Sequence, residues 1–252
     1  MKLDSALINE WASPGDTQKS VATYNRLKSV IESRFPNYHK DIYLQGSYGN
    51  HTNIKGSSDV DVVVQFDIVE RDLAIVLDWF YDNIQGAGNF YFTKGHKTIK
   101  YAGSNDYVKV DIVPCITYDS GILIYDHAMN KKVYNNPKKH IIAGETKNKD
   151  TDGQYKQIVR VLKNARNHLF DSSLRNMPSF KIECMAYNVS NIWYTGNTPS
   201  SYSSVVTNLY YQSLSGSLSD MKEPGTNQLV FPDQVSLKKA SDFISAIKNQ
   251  ME

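Results

Sequence analysis

Only two cysteines, Cys115 and Cys184, occur in the chain, and neither sits in a CxxC pair or a cysteine/histidine cluster. That excludes a disulfide framework and a zinc site of ordinary spacing, so both thiols are expected as reduced core residues. Long apolar runs are missing too: residues 60–64 and 122–124 fall far short of the roughly 20 residues a bilayer crossing needs, and no membrane contact is expected. Neither sign of charge dominates. With 28 Lys and Arg against 26 Asp and Glu, the net charge of +2 excludes a protein that coats nucleic acid by bulk electrostatics. The opening residues hold no basic stretch followed by an apolar core, so a cytoplasmic protein is expected. GxxxxGK[ST] and GxGxxG loops are absent, and the six histidines lack ligand spacing, so none is assigned to metal.

What is present is an ordinary soluble balance: 252 residues, 40% hydrophobic and 21% charged, enough for one large or two small domains. Residues 17–35 carry Val21, Tyr24, Leu27, Ile31 and Phe35 at helical spacing, closed by Pro36. A short β-rich run, 41–45, ends in Gly46-Ser47. Residues 59–66 alternate, with Val60, Val62, Val64 and Phe66 on one face and Asp59, Asp61, Val63 and Gln65 on the other. A helix is expected over 73–84, and 97–101 with 107–113 reads as an antiparallel hairpin about Gly103-Ser-Asn-Asp106. Residues 153–170 form a long helix whose second face bears Lys156, Arg160, Lys163 and Asn167, a basic face on which Lys163 by itself reads as a solvated lysine. Pro178-Ser179 opens a further helix through Trp193 with Ser179 as its cap. The Ser/Thr/Tyr-rich stretch 196–216 is weakly periodic and declares no element, and 235–247 is a last amphipathic helix. The basic stretch 131–149 reads as a solvated loop or a phosphate-facing rim.

Chemistry concentrates in the acids. Asp59 and Asp61 share one strand face about 6–7 Å apart, a spacing that suits bridging a divalent ion. Asp111 lies on the polar face of the run 108–113, so neighbouring strands would bring the carboxylates together. All-oxygen ligation selects Mg²⁺ or Mn²⁺ over Zn²⁺. Just before the acid pair, Gln45-Gly-Ser-Tyr48 combines a glycine that lets backbone N–H groups approach an anion with a donor hydroxyl. Tyr48 adjoins that turn and could stack a base or pack a lid. His51, Tyr187 and Tyr194 are weaker candidates for substrate contact. A phosphate cradle beside a metal pair is what nucleotidyl transfer needs.

These residues carry a resemblance. Gly46-Ser47, then Ser58-Asp59-Val-Asp61, then Val110-Asp111-Ile-Val-Pro114 look like the GS…DxD…D signature of the polymerase-β-like nucleotidyltransferases. Within that superfamily the arrangement resembles the cGAS/DncV-like nucleotidyltransferases, as do Asn136-Pro-Lys-Lys-His140, the Val161-Leu-Lys163 helix, Pro178-Ser-Phe180 and, loosely, Glu223-Pro-Gly225. The resemblance implies that Asp59, Asp61 and Asp111 are catalytic and hold two Mg²⁺ ions, Mn²⁺ serving as an alternative. It implies that Gly46 and Ser47 bind triphosphate, with Lys163 reaching the terminal phosphates and Ser179 contacting the triphosphate.

The expected fold is α+β: a nucleotidyltransferase lobe with a mixed twisted sheet over residues 1–150, then a mainly helical lobe over 151–252 closing a nucleotide cleft. The expected function is metal-dependent, template-independent joining of nucleoside triphosphates into a cyclic or linear oligonucleotide with pyrophosphate release. By resemblance it serves bacterial antiphage signalling, with a separate effector protein reading the product. The alternative is transfer onto a protein hydroxyl, including the chain's own at 198–219, a nucleic-acid 3′ end or a small molecule.

Overall fold

The computed structural model describes residues 3–56, 59–68 and 72–251; Ser58 of the acid motif lies outside them. The chain divides into two compact units. A sheet unit comprises Asp16–Gly49 and Lys55–Lys138, and a helical unit comprises Met1–Gly15, Asn50–Ile54 and Lys139–Glu252. Where the sequence suggests one boundary near residue 150, the N-terminal segment and residues 50–54 group instead with the C-terminal helices.

In chain order the elements are α1 (Ser5–Ala12), α2 (Gln18–Arg34), β1 (Lys40–Gln45), the single turn α3 (Gly46–Gly49), β2 (Val60–Phe66), α4 (Leu73–Ile84), β3 (Phe92–Lys94), β4 (Ile99–Tyr101), β5 (Val110–Tyr118), β6 (Gly121–Asp126), β7 (Lys131–Asn135), α5 (Pro137–Asp150), α6 (Gln154–Asn167), α7 (Ser172–Arg175), α8 (Ser179–Asn188), α9 (Thr198–Ser215) and α10 (Gln234–Asn249).

The sheet runs β1-β2-β5-β4-β3, with β6 paired to β5 and β7 to β6. β2 and β5 are parallel and the other pairs antiparallel, so the expected mixed sheet is present. A parallel pair needs a long crossover, and α4 with the β3–β4 hairpin lies in that stretch of chain. Strand alternation decides the faces. Val60, Val62, Val64 and Phe66 are fully buried in one cluster with Leu27, Ile31, Phe35 and Phe80; each such side chain contributes roughly 1.5–3 kcal/mol. Phe35 stacks on Phe80 with ring centroids 5.0 Å apart, and Trp79 meets Phe66 edge-on. On the opposite face Val63, Val113, Cys115, Ile122 and Ile124 form a smaller cluster. Asp61 and Asp111 precede those valines on the same face.

In the helical unit α6 is surrounded by α1, α8, α9 and α10, and Ile158, Val159, Leu162, Met185, Tyr202 and Phe243 share its core. Two features here go beyond the sequence reading. Residues 198–215 are an 18-residue helix, started by the Asn197 side chain accepting from the Ser200 N–H at 3.0 Å and stopped by Gly216 at φ +81°. Ser201 and Tyr202 of that helix are completely buried. Small hydroxyl residues dilute the apolar period yet allow close helix packing, which is why the sequence pattern alone leaves the stretch unassigned. The basic face of α6 is likewise interior: Lys156, Arg160 and Lys163 are buried. Two smaller differences follow. α8 ends at Asn188 and a 3₁₀ turn, Asn191–Trp193, continues the chain, and the basic stretch 131–149 is divided between β7 and α5. Cys115 and Cys184 are free and buried, as expected.

Candidate active site

Four neighbouring strands bring their chemistry into one row. Gln45 at the end of β1 pairs with Asp61 of β2, Asp61 pairs with Asp111 of β5, and Asp111 pairs with Lys100 of β4. Directly opposed residues on adjacent strands lie about 5 Å apart, so the parallel β2–β5 register sets Asp61 and Asp111 side by side. Asp59, exposed, stands two residues before Asp61 at the entrance to β2. The expected convergence of the two strands is thus a fact of the register.

The carboxylates are not electrostatically at rest. The pKa of Asp111 is raised above the usual carboxylate value chiefly by desolvation, with Asp59 adding to the rise and Lys100 opposing it. The desolvation has a plain origin: beyond Asp111 the same face is closed by Val113 and Cys115. The Lys100 ammonium lies 3.9 Å from Asp111 Oδ2. This lysine went unnoticed in the sequence, where the only sign of it is its place between Ile99 and Tyr101 in a short strand.

As placed, no three His, Cys, Asp or Glu side chains among the described residues enclose an ion by themselves. The donor set nonetheless fits a hard divalent cation. Mg²⁺ is usually held by one or two carboxylates, with water and substrate phosphates completing its shell. Two adjacent carboxylates and a third nearby, one of them already resisting ionisation, supply that charge.

The turn after β1 is built against Asp61. Gly46 has φ +59°, and a Cβ there would lie 2.2 Å from Asp61 Oδ2. Glycine is therefore required twice, by conformation and by the approach of the carboxylate. Ser47 follows, half-buried, in the helical turn. Tyr48 is a core residue: its ring packs with Leu27 and Val60, and its phenol oxygen accepts a 2.7 Å bond from Ser20 Oγ. The ring anchors the turn from below and is not presented for stacking.

The two basic-helix candidates are placed differently from the acids. Lys163 is 2% exposed, and its ammonium donates to Glu183 Oε1 at 2.5 Å, Thr52 Oγ1 at 2.9 Å and the Thr52 carbonyl at 3.1 Å. Its three protons are all used. Ser179 begins α8 without capping it, because Pro178 occupies the cap position; its hydroxyl accepts from Arg166 Nη1 at 3.0 Å. Tyr194 is buried with its hydroxyl on the Ala186 carbonyl, Tyr187 packs edge-on to Tyr155, and exposed His51 lies 4.0 Å from Glu145. Glu183, which sequence reasoning passed over, is the acceptor that organises Lys163. Its signal in the sequence was one acid inside an otherwise apolar turn, Ile182-Glu-Cys-Met185.

Comparison with known proteins agrees with this geometry. Residues 25–135 match the nucleotidyltransferase domain, and residues 142–252 match the cGAS/DncV-like nucleotidyltransferase C-terminal helical domain. The chain is similar to the cyclic UMP-AMP synthase of Rhodothermus marinus, 30% identical over 97% of this chain and 96% of that protein. It is 28% identical to the cyclic dipurine nucleotide synthase of Elizabethkingia meningoseptica over 82% of this chain and 84% of the other. The solved CdnE cyclic dinucleotide synthase of Elizabethkingia meningoseptica, determined with GTP and Apcpp, shares the fold with a TM-score of 0.85 at 23% identity over 98% of both chains. With a nucleotidyltransferase sheet unit, its acids in register, and the matching helical domain in one chain, this protein belongs to the cGAS/DncV-like nucleotidyltransferases.

Proposed function

We propose that the protein joins two or more nucleoside triphosphates into a cyclic oligonucleotide, most simply a cyclic dinucleotide, by successive nucleotidyl transfers. The observation that carries this is the row across the sheet: Gly46 against Asp61, and Asp61 beside Asp111. In each transfer a ribose hydroxyl oxygen attacks an α-phosphorus, the bond to the β-phosphate breaks, and pyrophosphate leaves. Asp59, Asp61 and Asp111 would hold two Mg²⁺ ions, or Mn²⁺, which would supply charge neutralisation at the α-phosphate and the leaving group. Asp111 lies on the acceptor side, where it orients the attacking hydroxyl and takes up its proton directly or through water. The Gly46 and Ser47 amides with the Ser47 hydroxyl hold triphosphate oxygens, and Tyr48 fixes the turn that carries them.

The resemblance also assigns Lys163 and Ser179 to the triphosphate. Lys163 would reach it only by giving up one of its internal acceptors, whereas the half-buried Ser179 hydroxyl and its Arg166 neighbour retain protons for a phosphate oxygen. The relatives are named as makers of cyclic nucleotides of several base compositions, which supports a cyclic product here. We carry over from the resemblance a role in antiphage signalling, with a separate effector protein binding the product.

The test is to incubate the purified protein with ribo- and deoxynucleoside triphosphates, singly and mixed, with Mg²⁺ or Mn²⁺, and to resolve products by mass spectrometry beside an Asp61→Asn control. Expected are pyrophosphate and a product resistant to phosphatase, both missing from the control. A linear product or a mass added to the protein itself would overturn cyclisation; full activity in Asp61→Asn would overturn the site.

A further inference from the structure

Directly after the turn Gly46–Gly49 come residues 50–54, a polar segment that belongs to the helical unit. Thr52 and Asn53 are almost wholly buried, and apart from Ile54 the segment has no aliphatic side chain to fasten it. Polar contacts fasten it instead. Glu183 accepts from Asn50 Nδ2 at 2.8 Å on one oxygen and from Thr52 Oγ1 at 2.7 Å on the other. Lys163 adds its bonds to the Thr52 hydroxyl and carbonyl. Arg160 Nη1 donates to the His51 carbonyl at 2.8 Å, and Asn53 exchanges bonds with the Gly15 backbone. His51, at φ +52°, bends the chain between these anchors.

A buried ion pair is an expensive way to hold helices together, since apolar packing of the same volume often does as well. Here both oxygens of the Glu183 carboxylate are spent on the segment, and Glu183 itself is 4% exposed. Charge-assisted bonds are geometrically strict and favour one arrangement of residues 50–52. Displacing the segment costs Glu183 Oε2 its Asn50 donor and Oε1 its Thr52 donor.

We infer that Glu183 is a positioning residue for triphosphate binding: through Asn50 and Thr52 it fixes the exit of the turn carrying Gly46 and Ser47. The inference rests on the reading of that turn as the triphosphate turn. Lys163 is the counter-charge that makes the buried carboxylate tenable. Glu183 touches no reacting atom; it limits the conformations from which Ser47 can bind, so its loss weakens substrate binding more than chemistry.

Two measurements on the full chain test this with Glu183→Gln and Thr52→Val. The second is nearly isosteric and keeps the Lys163–Glu183 pair, so it separates the tie from folding. Hydrogen exchange without nucleotide is expected to quicken about tenfold or more across residues 46–53 in both variants, with Val60–Phe66 and Gln154–Asn167 unchanged. Initial rates of pyrophosphate release should show KM for nucleoside triphosphate raised about tenfold with kcat within about twofold. Unchanged exchange at 46–53, or a fall in kcat with KM unmoved, would overturn the inference; a lowered melting temperature alone counts against it. A wild-type protein silent with every nucleotide would reject the functional reading instead, while exchange would still decide whether Glu183 holds the turn.

Discussion

The acid face of the sheet and the inner end of α6 both concentrate charge, and the chain treats them in opposite ways. Asp61 and Asp111 are set side by side by strand register, with one lysine at 3.9 Å on the far side of Asp111. Lys163 and Glu183 are sealed from solvent, 2.5 Å apart, with their remaining hydrogen-bonding capacity turned on one segment of chain. A fold that wanted only stability would not place carboxylates in a row, whereas a buried cation with every proton engaged ties its acceptors together. Net like charge at the surface therefore marks the place that receives something, and compensated charge in the interior marks the place that holds something.

The sharpest way to break this contrast is Asp61→Asn. It should cut pyrophosphate release by about 10⁴-fold while leaving the melting temperature equal or higher, because a like charge is removed from beside Asp111. A large drop in melting temperature would mean that Asp61 is structural after all. Lys163→Met probes the other region, where the loss should be one of stability. Stranding the Glu183 carboxylate is expected to cost about 3–5 kcal/mol in urea unfolding, and Lys163→Met with Glu183→Leu should recover much of it. Equal stability of the single and double variants would show that the pair is not coupled.

Gly46→Ala tests the join between turn and acid. A side chain there meets Asp61 and sits at positive φ, so kcat/KM should fall about ten- to hundredfold, with the melting temperature lowered by a few degrees.

The smallest effect concerns Lys147, a third buried lysine but one without a carboxylate ion pair among the described residues. Its ammonium donates to the Val189 carbonyl and to Asn191 Oδ1, each at 2.5 Å, and lies over the rings of Tyr187 and Tyr194. Burial pulls its pKa down to about 8, Asp150 opposing. Between about 8 and the ordinary lysine range the unfolded chain then binds the extra proton, so stability should rise with pH across that window. Lys147→Met should lack that rise, which urea titrations at two pH values would reveal.

Much of the sheet unit was readable residue by residue. Alternation from Val60 to Phe66 told which face carried the acids, and Gly46-Ser47 before an Asp-Val-Asp pair told what kind of chemistry they serve. The helical unit was harder. α9 hid because Ser and Thr break the apolar period while packing well, and α1 hid because eight residues are too few to show one. Lys156, Arg160 and Lys163 misled for a sharper reason: at helical spacing a buried cation and a solvated one look alike, and only the acceptors supplied by Glu145, Ala12, His51, Thr52 and Glu183 distinguish them.

By itself the sequence determined the nature of the acid site, since two-residue spacing on a strand and a glycine-serine turn just before it are local properties of the chain. The tertiary structure decided what lies across from each of those residues: that β5 runs beside β2 in a register pairing Asp111 with Asp61, and that Glu183, far along the chain, closes on Asn50 and Thr52. Local sequence governs backbone conformation and the face on which a side chain emerges. Burial and long-range pairing depend on which distant segment supplies the partner, and those partners come together only when the core forms.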